Sequence, residues 1–189
     1  GNEYRCVITR KDGRVKPVIS DTATLYVGVN AGTLEEFERA ISGNAAVIRI
    51  TGDFDFGGDD VTINRKVLII SDDAHAISTG DYSLIIGDGG NVSLNGNLTV
   101  TGAGTQTILV NSGGTFALTG KTKVCSFDGA GIAVMGGTLN IDGKAYINGN
   151  QTGVKVSGGT AAIGGNAEVG SYYTGISISD GALNIDGEA

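Results

Sequence analysis

A six-residue phrase repeats along the second half of this chain, and it limits the possible folds more than any other feature. It reads apolar, any, apolar, any, Gly, then Lys, Asn or Glu. The copies are Val92-Ser-Leu-Asn-Gly-Asn97, Phe116-Ala-Leu-Thr-Gly-Lys121, Leu139-Asn-Ile-Asp-Gly-Lys144, Ala161-Ala-Ile-Gly-Gly-Asn166 and Leu183-Asn-Ile-Asp-Gly-Glu188. Val61-Thr-Ile-Asn-Arg-Lys66 reads as an earlier copy in which Arg65 stands where the glycine would be. The spacing between starts shortens from Val61 through Val92 and Phe116, then settles at Leu139, Ala161 and Leu183. A repeat converging on one length implies stacked units, each covering the core of its neighbour.

Within each repeat, three short alternating runs can be placed. One set is Leu98/Val100, Val124, Ala145/Ile147 and Ala167/Val169. A second is Leu84/Ile86, Ile108/Val110, Ile132/Val134, Val154/Val156 and Ile176/Ile178, and the phrase itself is the third. Gly113-Gly114, Gly136-Gly137, Gly158-Gly159 and Asp180-Gly181 recur at one place in each repeat and read as a corner. Three short strands in every turn of the repeat predict an all-β fold, a single-stranded parallel β-helix. Its turns should be spaced by about 4.8 Å. One inner ladder is then Val92/Phe116/Leu139/Ala161/Leu183.

A helix is expected over about 33–42. Thr33-Leu-Glu-Glu36 matches a capping box. Leu34, Phe37, Ala40 and Ile41 share one face, and Gly43 ends the run. Such a helix would cover the open N-terminal end of the strand stack.

These features, with the first long strand that follows, resemble the right-handed, pectate-lyase-like β-helix superfamily over positions 30–189. Positions 1–27 differ in character. Tyr4 to Thr9 alternates, Lys11-Asp-Gly-Arg14 signals a turn, and Thr22 to Val27 alternates again. With Tyr4 two positions before Cys6, this segment resembles the last two strands of a bacterial immunoglobulin-like domain. The expected organisation is therefore 1–28, the closing strands of a truncated immunoglobulin-like domain, and 29–189, a β-helix with a helical cap that continues beyond the end of the chain. An uncapped last turn would invite end-to-end stacking with another copy.

Composition narrows the function. A formal charge of −7, with five of thirteen basic residues in the first sixteen positions, excludes nucleic acid as the main partner. No stretch approaches the roughly twenty apolar residues of a membrane span. Cys6 and Cys125 lie in unrelated contexts, so no disulfide between them is expected, and with one histidine they form no recognised metal or nucleophile pattern.

The superfamily resemblance raises the question of catalysis. Lyases of that superfamily need a calcium-binding carboxylate cluster and a basic residue on one outer face. Asp53, Asp55, Asp59 and Asp60 are the best acidic candidates, and calcium is the cofactor they would hold. The alternative is that they are solvated strand and turn carboxylates. The hydrolases of the superfamily carry paired aspartates, Gly-His-Gly and Arg-Ile-Lys. This chain has Ser71-Asp-Asp73 and a lone His75 in what reads as its longest inter-strand segment, 71–82, so the hydrolase reading fails. Ice-binding Thr-x-Thr lattices and calcium-binding Gly-Gly-x-Gly-x-Asp repeats are also missing.

Outward positions hold two candidate surfaces. Tyr146, Tyr172 and Tyr173 fall in the last turns with Asn148, Asn150 and Gln151 nearby, a combination suited to stacking and hydrogen-bonding a sugar. Leu68, Ile85 and Leu109 would expose apolar area in the N-terminal half, to be covered by the N-terminal strands or another chain. The expected function is a non-catalytic, adhesin-like module, bacterial and either secreted or on the cell surface, presenting a face to glycans or proteins. A polysaccharide lyase fragment whose site lies elsewhere and a purely structural stalk are the alternatives.

Overall fold

The computed structural model describes residues 28–186 throughout. Before them it describes the backbone of four short strands: Asn2–Tyr4, Val7–Ile8, Val18–Ile19 and Ala23–Leu25. The first pairs antiparallel with the fourth, and the second with the third. Cys6 and the turn at 11–14 lie outside the described residues, as do Gly187 and Glu188 of the last phrase copy.

From Gly28 the chain winds into a right-handed parallel β-helix of about seven turns. Three sheets run its length. Sheet A holds Gly28–Ala31, Val47–Ile50, Thr115–Leu118, Thr138–Ile141 and the phrase-bearing parts of longer strands. Sheet B holds Phe54–Asp55, Lys123–Ser126, Tyr146–Gly149 and Glu168–Ser171. Sheet C holds Val61–Ile63, Leu84–Ile86, Gln106–Asn111 and Ala130–Met135. Four strands bend through a corner and serve two sheets. Lys66–Ser78 and Asn91–Gly102 pass from A to B, and Thr152–Ile163 and Thr174–Ile185 pass from C to A.

The registers reproduce the expected ladders. Val92 pairs with Phe116, Phe116 with Leu139, Leu139 with Ala161, and Ala161 with Leu183. Val100, Val124, Ile147 and Val169 stack in sheet B, and Leu84, Ile108, Ile132, Val154 and Ile176 in sheet C. Their side chains fill the interior, where Phe116, Ile48, Ile69 and Leu94 are fully buried. Fully burying one such side chain contributes about 1.5–3 kcal/mol, and every rung shares that burial with its neighbours.

The phrase's glycine is the A-to-B corner. Gly96, Gly120, Gly143 and Gly165 all have positive φ, from 67° to 87°. They are strung together by backbone bonds from Lys121 N–H to Gly96 O, Lys144 N–H to Gly120 O and Asn166 N–H to Gly143 O.

The first phrase copy is placed differently. Val61–Ile63 pairs with Leu84–Ile86 and so belongs to sheet C. The sheet A partner of Val92 is Val67, in Val67-Leu-Ile-Ile-Ser71. There the outward residues Leu68 and Ile70 are apolar, which masks the alternation, whereas Val61-Thr-Ile63 imitates it. Residues 71–78 are also strand rather than an inter-strand segment: His75 pairs with Leu98 and Ile77 with Val100. The longer path of this corner is absorbed by a register shift between Gly96 and Leu98.

The helix α1 spans Leu34–Ser42, with Phe37 and Ala40 buried and Leu34 and Ile41 packed on the core. Thr33 Oγ1 accepts from the Glu36 N–H at 3.3 Å. Glu36 reaches back to the N–H of Gly32, one residue before the cap, at 2.8 Å. Phe37 lies 5.3 Å from Phe54 and 6.5 Å from Phe56, closing the N-terminal end of the stack. Gly43 ends the helix in extended conformation, φ −83°, rather than in the left-handed one. Two carbonyls of the last turn, those of Ala40 and Ile41, accept instead from Arg65, which also donates to Ala45 beyond the helix.

Candidate functional site

Sheet B and the corner that follows it bring together most of the residues selected for sugar binding. On sheet B, Lys123 pairs with Tyr146 and Tyr146 with Glu168. Two positions on, Cys125 pairs with Asn148 and Asn148 with Gly170. Both series point outward, because Val124, Ile147 and Val169 between them point into the core. Gly170 leaves its rung without a side chain. A Cβ built there would find only Asn148 Oδ1, at 4.0 Å. The gap is one end of a shallow, open depression of about 530 Å³, walled by Phe127, Tyr146, Asn148, Asn150, Ser171 and Tyr172.

The corner itself supplies the rim. Asn150 N–H donates to Ser126 O at 3.0 Å and Tyr172 N–H to Gly149 O at 3.3 Å. These bonds place Phe127, Asn150 and Tyr172 in one column on successive rungs. Phe127 is held out by a local turn in which Ser126 Oγ accepts from the Gly129 N–H at 3.0 Å. Phe127 is 64% exposed and Tyr172 80%. The other phenylalanines lie in the core or pack against it, so Phe127 is set apart by its exposure. Tyr173 does not line the depression, and its ring meets that of Tyr172 in a T-shaped contact with centroids 4.9 Å apart. Gln151 follows Asn150 in the corner and is exposed. The Ser171 hydroxyl is enclosed and has no hydrogen-bond partner among the described residues.

Phe127 is the residue that sequence reading missed. Its signal was present: an aromatic in Ser126-Phe-Asp-Gly129, a turn-forming run, one rung from Asn150. A second depression of about 630 Å³, lined by Lys123, Lys144, Tyr146, Asn166 and Glu168, adjoins the first through Tyr146. Cys125 is a half-buried free thiol, and burial raises its pKa, with nearby Lys123 opposing, which makes it a poor nucleophile.

The four aspartates are not gathered into one cluster. Among the described residues, no three His, Cys, Asp or Glu side chains are placed to share a metal ion. Asp53 Oδ1 accepts from the Ala76 N–H at 2.8 Å and lies 3.1 Å from His75 Nδ1. The backbone bond, and then His75, hold its carboxyl below the usual range. Asp60 Oδ1 accepts from the Ser83 N–H at 2.7 Å. Both carboxylates thus tie one turn to the next, while Asp55 and Asp59 face solvent. His75 is a strand residue paired with Asp53.

The apolar patch divides. Leu68 lies on sheet A, in a groove of about 510 Å³ with Val47, Lys66, Asn91 and Ser93. Ile85 and Leu109 pair with each other on sheet C. All three are half-buried, with Ile85 and Leu109 side by side on one sheet and Leu68 on another. No family model, curated protein or solved structure matches the chain.

Proposed function

We propose that this chain is a non-catalytic glycan-binding module, adhesin-like, from a bacterial protein that is secreted or held at the cell surface. The observation that carries the reading is the depression on sheet B, where Phe127, Tyr146 and Tyr172 surround Asn148 and Asn150. Aromatic faces carry partial negative charge and attract the C–H faces of pyranose rings, while amides hydrogen-bond the ring hydroxyls. A shallow, open surface suits a chain that binds and leaves unchanged, whereas catalysis asks for positioned acid–base partners. The commitment of Asp53 and Asp60 to neighbouring backbone supports binding over lyase chemistry. The antiparallel pairing of Asn2–Tyr4 with Ala23–Leu25 supports an immunoglobulin-like module ahead of the β-helix, and the bacterial, extracellular setting rests on that resemblance.

A glycan array probed with the purified chain tests the reading. Saturable binding that falls about tenfold in Tyr172→Ala, equivalent to about 1.4 kcal/mol, is the expected result. No binding to any glycan, or binding indifferent to Tyr172, would overturn it.

A further inference from the structure

We propose that the ligand is an extended, β-linked glycan lying parallel to the long axis of the β-helix, with Phe127 and Tyr172 as two separate stacking platforms. This rests on the glycan-binding reading above and adds the direction, the minimum length and the shape of the sugar chain.

The argument starts from register. Phe127, Asn150 and Tyr172 occupy the same position on three successive rungs of one corner. Rungs are spaced by about 4.8 Å, so the two aromatic residues are anchored about 10 Å apart along the axis. That is about the advance of two pyranose rings in an extended β-1,4-linked chain. A sugar ring on Phe127 and a second on Tyr172 are thus separated by one intervening unit, which passes over Asn150. The side chains that would meet that middle unit are polar: Asn150 at the rim and Asn148 on the floor.

The backbone fixes this spacing. Both platforms project from corners tied to their neighbours by main-chain hydrogen bonds. Gly129 at the Phe127 turn packs tightly on the preceding rung: a Cβ there would fall 2.1 Å from Thr105 O. A rigid pair of platforms selects ligands by the distance between their rings. An extended chain keeps alternate rings at one separation along a line, whereas an α-1,4-linked glucan coils away from any straight edge. Two weak stacking contacts on one stiff ligand also combine through effective concentration, so affinity should climb steeply once both are spanned.

The test is titration calorimetry with cello- and chito-oligosaccharides of one to four units, with malto-oligosaccharides as the coiled counterpart. Affinity should rise at least tenfold between the mono- and the trisaccharide of a β-linked series and then level off. Phe127→Ala and Tyr172→Ala should each remove that rise, because either change leaves one platform where the trisaccharide needs two. Both side chains are exposed, so thermal unfolding of each variant should match the parent. Glycan binding with equal affinity for one and three units, or a preference for the malto series, would overturn the axial placement while leaving the glycan-binding reading standing. No binding by any of these sugars, with binding to another glycan on the array, would overturn the axial placement alone, and no binding by any glycan would overturn both.

Discussion

The Arg65 guanidinium donates from Nη2 to the Ala40 carbonyl oxygen across 2.6 Å. Its other nitrogens reach Ile41 O and Ala45 O, each at 2.7 Å, and Lys66 O at 3.1 Å. One side chain from the corner between sheets C and A thereby satisfies two of the C-terminal carbonyls of the capping helix, those of Ala40 and Ile41, where a cation is also favoured by the helix dipole. Arg65→Ala should destabilise the chain by about 2–3 kcal/mol, since bonds to a charged donor are among the stronger ones. Arg65→Lys should recover less than half, because an ammonium lacks the planar fork. Urea unfolding of the three proteins measures both.

Arg65 also illustrates where sequence reading reaches its limit. The phrase, the glycine corners and the ladders specify the architecture, because a strict period with inward Val, Ile, Leu and Phe leaves few other folds. The face of α1 is equally legible from Leu34, Phe37, Ala40 and Ile41. Register within the first turns is not. Val61-Thr-Ile63 has the apolar alternation shared by strands of every sheet. Arg65 reads as a substituted corner because a helix cap supplied from so far beyond the end of α1 leaves no local pattern. Phe127 escapes for a related reason: its neighbours Asn150 and Tyr172 come from later turns, and only the pairing of corners reveals the column.

The corner glycines should tolerate no side chain. Gly120 has φ +71°, and a Cβ there would sit 2.4 Å from Asn95 Oδ1 and 2.9 Å from Gly96 N. Gly120→Ala combines backbone strain of about 1–3 kcal/mol with that close contact to the preceding corner. A loss of at least that size is expected in thermal or urea unfolding, and a variant as stable as the parent would show that the stacked corner can relax.

The interior ladder should behave as a packed core. Phe116 is fully buried between Val92 and Leu139. Phe116→Ala should cost about 3–5 kcal/mol through lost burial and the cavity left behind. Phe116→Leu should cost less than half as much, as read from denaturant midpoints at unchanged slope.

Asp53 should give the N-terminal turns a small acid sensitivity. Its carboxyl is held below its ordinary value by the Ala76 N–H and by His75. A depressed carboxylate contributes stability in full above the ordinary range, near pH 4, and loses it as pH falls through the lowered value. Asp53→Asn should therefore lower the melting temperature slightly at pH 7, and the gap to the parent should close as pH drops below about 4. A gap that persists unchanged in acid would assign the effect to something other than the charge.

Gly170 offers the most direct test of sugar binding on sheet B. Its φ lies outside the left-handed region, and nothing approaches a Cβ there more closely than 4.0 Å. Gly170→Leu should therefore fold with the parent's stability while its side chain fills the notch over Asn148. Calorimetric titration of the array-selected glycan into parent and Gly170→Leu compares the same fold with the depression open and closed. Binding lost by at least tenfold at an unchanged melting temperature is the expected result. Undiminished affinity in Gly170→Leu would contradict a glycan site between Phe127, Tyr146 and Tyr172.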